Sequence, residues 1–227
     1  MGSPLKDLSK IVVFGLVLSM FTSCGSDEST EEESSESFAT NEAELNRNRA
    51  EIDRGLFQKG EWRAHWQEKV GEFDASTFEL AMTDSLDPME MPERNPILKG
   101  DPLFPYQFPH PSGNGTVDIY SYKIEAQENI DTPFLNPDSE VVWYRGDGMR
   151  ERLLFMGPSG MFEEGMWLND NEFLVLGYFE GVDGYRPMAW IIDVENHVLK
   201  QFQLNKSAEI YEHASYIDKK INRLDLS

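Results

Sequence analysis

The pattern of hydrophobic and polar positions predicts a β-rich body between Phe104 and Leu204. Short apolar runs, rich in aromatic and β-branched residues, alternate there with clusters of Gly, Pro, Asn and Asp. Three runs are apolar at consecutive positions, which indicates strands that need burial on both faces. These runs are Val141–Tyr144, Phe173–Leu176 and Ala189–Ile192. Val198–Leu204 includes polar residues and is predicted to form an edge strand.

The body contains an internal repeat, at about residues 104–156 and 162–204. His110–Tyr122 aligns with Met166–Tyr178 without a gap, and residues 141–148 align with residues 189–196 after a longer loop in the first copy. Each copy then has a leading strand, two apolar strands and a more polar last strand. The sequence predicts a mainly β fold of two four-stranded antiparallel meanders packed together. Chance similarity between two generic meanders is the alternative.

Each repeat resembles a blade of a β-propeller. The shared features are four strands in each repeat, burial on both faces, and a tryptophan in the third strand, Trp143 or Trp190. Closed propellers use ~4 to 8 blades, and this chain has room for two. Two sheets packed face to face leave their outer faces uncovered, so other segments or a partner must cover them.

Helices are predicted on both flanks of the β region. After the candidate N-cap Ser207, apolar residues recur with the spacing of an amphipathic helix. They are Ile210, Ala214, Ile217, Ile221 and Leu224. Residues 41–58 form a weaker candidate, because Asn41 and Glu44 have the spacing of a capping box. Its apolar face comprises Leu45, Ile52 and Leu56.

The segment between these flanks is rich in proline. Seven prolines lie between Ser85 and Pro111, a density that excludes a regular helix or a central strand. We expect a long connection that wraps around the body. Six large apolar residues before this segment provide further apolar surface. They are Trp62, Trp66, Phe73, Phe78, Leu80 and Met82. The last three occupy alternate positions, as in a strand.

Residues 1–23 have the pattern of a signal peptide. Two lysines precede an uncharged run, Ile11–Thr22, that would span ~18 Å as a helix, well short of the ~30 Å hydrocarbon core of a bilayer. The run therefore predicts a secretion signal and not a membrane span.

The end of this run, Phe21-Thr22-Ser23-Cys24, resembles the lipobox of bacterial lipoproteins, with Phe21 where Leu is typical. The resemblance implies that Cys24 is acylated and becomes the N-terminus after cleavage. Such lipoproteins carry two or three acyl chains, enough for stable anchoring. The alternative is a soluble secreted protein in which Cys24 is a free thiol.

Residues 24–44 comprise the lipidated cysteine and an acidic tether. Gly25–Glu44 has eight acidic residues and no basic one, so it is predicted to be disordered. Its start, residues 25–28, resembles the acidic export signal of Bacteroidota lipoproteins, which implies a location on the cell surface, at the outer face of the outer membrane. A location on the periplasmic face is the alternative. Residues 45–227 are predicted to form one β-rich domain.

Composition excludes several functions. The formal net charge of −21 opposes binding to nucleic acid, whose affinity depends on Lys and Arg. One cysteine excludes an intrachain disulfide and a thiolate zinc site. The four histidines form no metal-binding motif and are predicted to be ordinary surface or turn residues. No cofactor or metal is expected.

Three short motifs are better explained as turns than as functional sites. Gly157–Gly160 lacks the final glycine of a nucleophile elbow. Arg145-Gly146-Asp147, an adhesion-type triplet, aligns with a turn in the second repeat. The acidic loops Asn169–Glu172 and Glu180–Gly184 lack the ligand order of a Ca²⁺-binding EF-hand loop.

The sequence therefore predicts a non-catalytic lipoprotein at the cell envelope. It would be held to the membrane by the lipid on Cys24 and would bind a protein partner or a second copy of itself. The alternative is a glycan-directed hydrolase that uses loop carboxylates. An envelope-assembly factor is a weaker third possibility. With 41 acidic residues, some carboxylates lie close together by chance, so no catalytic residue is assigned.

We expect protein purified from its native membrane to carry acyl mass on Cys24, as the lipobox resemblance implies. Mass spectrometry of the intact chain and of its N-terminal peptide measures this. A Cys24→Ser variant serves as the control and should remain unmodified. A native chain that begins downstream of Cys24 and carries no lipid would contradict the assignment.

Overall fold

The computed structural model describes the backbone of residues 28–125, 134–213 and 215–221. The chain divides into two units, residues 1–40 and 41–227, and the fold described here is that of the second. It is mainly β. Two five-stranded antiparallel sheets pack together and are flanked by N- and C-terminal helices, which confirms the predicted fold class. Residues 1–23 and Cys24 lie outside the described residues.

The helices and strands of the described residues have the following bounds. The helices are α1 (Glu28–Gln58), α2 (Gly60–Val70) and α3 (Ser215–Ile221). The strands are β1 (Phe78–Ser85), β2 (Met89–Pro92), β3 (Phe108–Pro109), β4 (Thr116–Asp118), β5 (Ile124–Glu125), β6 (Phe134–Leu135), β7 (Ser139–Tyr144), β8 (Met149–Met156), β9 (Gly160–Trp167), β10 (Glu172–Gly181), β11 (Gly184–Asp193) and β12 (Val198–Leu204). Among the helices of the described chain, none is long and apolar enough to cross a membrane.

The two sheets have the same strand order. The first sheet runs β3-β4-β7-β8-β2 and the second runs β9-β10-β11-β12-β1. Each is a four-stranded meander with a fifth strand added beside its last strand. Both fifth strands come from residues 78–92. The separate β5–β6 pair lies in the longer loop between β4 and β7.

The prediction that Val198–Leu204 is an edge strand is wrong. This segment is β12, which pairs with β11 on one side and with β1 on the other. Its polar residues led to the edge assignment, but the edge position is taken by β1, where Leu80 and Met82 are exposed. The strand pattern of Phe78, Leu80 and Met82 was correctly predicted.

The prediction that the central strands are buried on both faces is confirmed. All six residues of β7 are buried, and so are the first seven of β10. The proline-rich connection between Ser85 and Pro111 also behaves as expected, since its strands β2 and β3 are short and occupy the two edges of the first sheet.

The part of helix α1 from residue 41 onward covers part of the second sheet. The helix begins at Glu28 and not at the predicted cap Asn41, and so includes much of the acidic segment. Of its expected apolar face, Ile52 and Leu56 are fully buried. A Cβ at Gly55 would lie 2.1 Å from Leu174 Cδ2 of β10. The glycine therefore allows close contact between helix and sheet.

The C-terminal helix is shorter than the predicted one. Helix α3 begins at Ser215, and Ser207 does not cap it. Ile210 lies outside the helix and is 86% exposed, so it is not part of an apolar stripe. Ile217 is buried as expected. Ala214 and Leu224 lie outside the described residues.

A β-bulge interrupts the pairing of β9 with β10. Leu176 pairs with Glu164 and Gly177 pairs with Phe162, which leaves Glu163 as the extra residue. The strands approach closely at this point, because a Cβ at Gly177 would lie 2.0 Å from the backbone oxygen of Met161. Only glycine fits there without a backbone shift.

We expect Gly177→Ala to lower the free energy of unfolding by about 2 kcal/mol or more, since the methyl group meets rigid backbone. Gly60→Ala is the matched control. At Gly60, in helix α2, a Cβ meets nothing within 4 Å, and alanine should be neutral or stabilising by up to about 1 kcal/mol. Urea denaturation measures both variants, and similar effects at the two positions would refute the close approach.

Candidate functional site

The bulge places two consecutive carboxylates in the interior. In a regular strand successive side chains point to opposite faces, but the extra residue in β9 disturbs that alternation. Both are buried: Glu163 contacts α2 and the segment before α3, and Glu164 contacts α3 and Lys59, which lies between α1 and α2. They form the centre of a network that we call the glutamate pair.

Glu163 accepts hydrogen bonds from three buried side chains. Trp62 Nε1 and Trp66 Nε1, from α2, lie 2.8 and 2.9 Å from its Oε2 atom, and the Tyr211 hydroxyl lies 2.8 Å from Oε1. Burial raises the pKa of Glu163 to about 7, although these three donors oppose the shift. This carboxyl group therefore titrates near neutral pH.

Glu164 is held by cations. Lys220 and the Tyr216 hydroxyl donate to its Oε1 atom, the latter at 2.7 Å. Lys59 Nζ lies 2.9 Å from Oε2, within ion-pair distance but without hydrogen-bond alignment. Burial alone would raise the pKa of Glu164, but Lys220 and Lys59 hold it below its usual value. The two adjacent glutamates thus have pKa values shifted in opposite directions.

A hydrogen-bonded chain connects Glu163 with the surface. The Tyr211 hydroxyl lies 3.0 Å from His65 Nε2, and Lys219 Nζ lies 3.2 Å from His65 Nδ1. Burial, together with Lys219 and Lys69, lowers the pKa of His65 to about 4. The imidazole is therefore neutral at pH 7. With Lys219 donating to Nδ1, the ring proton lies on Nε2 and faces Tyr211.

Sequence reasoning missed this network. His65 was predicted to be a surface or turn residue, but it is 4% exposed within α2. Trp62 and Trp66 were expected only as apolar surface. A usable signal was present in Met161–Trp167, where two adjacent glutamates interrupt an apolar strand. Buried charges need partners, so this pattern calls for donors elsewhere in the chain.

An open cleft of about 660 Å³ forms a second candidate site. It lies beside the turn that joins β7 to β8, and we call it the hairpin cleft. Residues of the connection after β2 and of β4 complete it. Its walls include Arg94, Asn95, Phe104, Gln107, Thr116 and Asp147.

Rigid contacts hold the polar walls of the hairpin cleft. Asn95 Nδ2 donates to Gln107 Oε1 at 2.9 Å, and Gln107 Nε2 donates back to Asn95 Oδ1 at 3.1 Å. The Thr116 hydroxyl is buried and has no hydrogen-bond partner within the described part of the chain. Each amide of the Asn95–Gln107 pair uses only one N–H on the other, so the wall of the cleft has unused hydrogen-bonding capacity.

The charges of the β7–β8 turn neutralise one another. Arg145 forms ion pairs with Asp147 and Glu151, and lies 3.1 Å from Glu90. Burial raises the pKa of Glu151. Gly148 N donates to the backbone oxygen of Arg145 at 3.1 Å. The Arg145-Gly146-Asp147 triplet therefore forms a hairpin turn, as predicted.

The other motifs also form turns. Gly157–Gly160 connects β8 to the start of β9, and Glu180–Gly184 includes the β10–β11 turn. In the loop Asn169–Glu172, Asn169 Oδ1 accepts backbone hydrogen bonds from residues 171 and 172. Within residues that the structure describes, no group of three or more His, Cys, Asp and Glu side chains is arranged to hold a metal ion.

Comparison of the chain with protein-family models, with curated proteins and with solved structures finds no match.

We expect Glu163→Gln to change how stability depends on pH. The folded-state pKa of Glu163 is raised above its ordinary value of 4.5. The stabilisation that protonated Glu163 adds to the free energy of unfolding is therefore fully present below about pH 4.5 and is lost as the pH rises through about 7. The amide mimics the protonated carboxyl group. The variant should gain up to about 3 kcal/mol relative to the wild type between pH 4.5 and 8.

Urea denaturation across this pH range measures the effect, and Glu164→Gln is the matched control. The folded-state pKa of Glu164 is lowered, so its contribution is present above its ordinary pKa and is lost as the pH falls. The control should be destabilised most at neutral pH and least in acid. A pH-independent difference between Glu163→Gln and the wild type would contradict the raised pKa.

Proposed function

We propose that the protein is a lipid-anchored, non-catalytic binding module of the cell envelope. The lipid on Cys24 would attach it to the outer membrane, on the surface or the periplasmic face, and the hairpin cleft would take the ligand. Residues 1–23, the lipobox resemblance and the acidic residues after Cys24 support the anchor.

One observation carries the binding proposal. The hairpin cleft is open, has a volume of about 660 Å³, and is lined by Asn95 and Gln107, each of which uses only one N–H of its amide on the other. That volume lies within the range of small-molecule sites, ~300 to 1,000 Å³. The amide pair of Asn95 and Gln107 fixes its wall. A cleft with fixed walls and unused hydrogen-bonding groups favours recognition of a ligand.

The alternative of a glycan-directed hydrolase has one supporting observation. Glu163 and Glu164 have pKa values shifted in opposite directions, as the acid and the base of such enzymes do. Both carboxylates, however, are buried and bonded to side chains of the protein, and neither is among the residues that line the hairpin cleft. These contacts hold the helices to the sheet, so we prefer the binding proposal.

The binding proposal is tested with lipid-free protein, the Cys24→Ser chain, added to isolated cell envelopes of its own source. We expect saturable binding in sedimentation assays. Removing two exposed cleft side chains, with Arg94→Ala and Phe104→Ala together, should weaken it at least tenfold. Phe179→Ala is the control, because Phe179 is exposed to a similar extent but lies outside this cleft.

Unchanged binding by the double variant would refute the cleft as the site. Sugars released into solution are measured in the same sedimentation assay, as a test of the hydrolase alternative. Release of sugar by the wild type and its loss in Glu163→Gln would favour the hydrolase instead.

A further inference from the structure

We propose that the hairpin cleft binds a neutral carbohydrate, with one sugar ring packed against Phe104 and its hydroxyl groups bonded to Asn95, Gln107 and Arg94. This inference rests on the proposed function and assigns the chemical class of the ligand. It depends on three properties of the cleft: its hydrogen-bonding groups, its charge and its exposed aromatic ring.

The hydrogen-bonding groups both donate and accept. In the reciprocal amide pair, Asn95 and Gln107 each use one N–H on the other, which leaves each amide a second N–H. Asn95 Oδ1 is occupied, since it also accepts from the backbone nitrogen of Ile97 at 3.0 Å. Gln107 Oε1 accepts one hydrogen bond, from Asn95 Nδ2, and has a second lone pair with which to accept another. Sugar hydroxyl groups have the same dual capacity, so they complement this lining.

The charge of the cleft disfavours an ionic ligand. Arg145 is already paired with Asp147 and with the carboxylates of Glu90 and Glu151. An anionic ligand would meet Asp147, the carboxylate that lines the cleft, and a chain with a net charge of −21. A cationic ligand would meet Arg94, which also lines the cleft. A neutral ligand avoids both penalties.

The aromatic ring of Phe104 supplies an apolar surface. Phe104 begins a 3₁₀ turn, Phe104–Tyr106, and is 45% exposed where it lines the cleft. The packing of Tyr106 edge-on against Tyr120, with ring centroids 6.2 Å apart, holds this turn in place. A sugar ring has C–H groups on its faces and hydroxyl groups around its rim. Phe104 can cover such a face while the amides reach the rim.

The experiment uses a microarray of neutral, anionic and cationic oligosaccharides, followed by calorimetric titration of the neutral ones that bind. The protein is the Cys24→Ser chain. We expect binding to neutral oligosaccharides, with the dissociation constant raised at least tenfold by Phe104→Ala and at least threefold by Arg94→Ala. Both side chains are exposed, so their removal leaves the core intact. Phe179→Ala should bind as the wild type does.

A second measurement separates this inference from the proposed function. Periodate cleaves the vicinal diols of sugars and should abolish binding to isolated envelopes. If binding to periodate-treated envelopes persists and still requires Arg94 and Phe104, the binding module stands and the carbohydrate assignment is overturned. Preferential binding of anionic or cationic oligosaccharides would also overturn it. If the envelopes are not bound at all but neutral oligosaccharides are, the ligand class stands and the envelope role fails.

Discussion

The burial of two adjacent carboxylates at one bulge is the constraint on which the rest of the structure depends. A carboxylate removed from water is costly unless donors or cations replace the lost hydration. Glu163 and Glu164 each receive three partners, drawn from α2, from the junction before it, and from the C-terminal segment. The positions of these elements on the second sheet are therefore set by directional polar contacts as well as by apolar burial.

The same bulge also joins the two sheets. Strand β9 is the edge of the second sheet, and edge strands expose backbone groups. Here the Tyr120 hydroxyl donates to the backbone oxygen of Glu163 at 2.8 Å, and Phe162 N donates to Ser139 Oγ at 3.2 Å. Trp167 Nε1 donates to the backbone oxygen of Phe108 at 3.0 Å. The hydroxyl groups of Tyr120, which follows β4, and of Ser139 in β7 thus satisfy two backbone groups of this edge strand.

Local pattern was sufficient to predict the parts of the fold that depend on it. The continuous apolar runs of β7 and β10 indicated burial on both faces, and the prolines between Ser85 and Pro111 excluded a central strand in a segment whose strands β2 and β3 lie at sheet edges. Features that depend on pairing between segments far apart in the sequence could not be predicted from local pattern. The polar residues of β12 gave no sign that β1 would cover it, and Ile210 matched a helical spacing in a segment that does not become helical. The partners of Glu163 are likewise far from it along the chain. The sequence therefore showed only that two adjacent glutamates interrupt an apolar strand, and not which residues bond to them.

The origin of both fifth strands in one segment has a consequence for folding. Phe78 of β1 pairs with Leu204 of β12, near opposite ends of the described domain. Bringing β1 and β12 together closes a loop that includes most of the domain, and the chain loses entropy before the contacts between the strands form. Such high contact order slows folding. During synthesis β1 emerges long before β12, so its apolar side chains have no strand to join until almost the whole domain has been made. We expect the pairing of β1 with β12 to be a slow step in the folding of this protein.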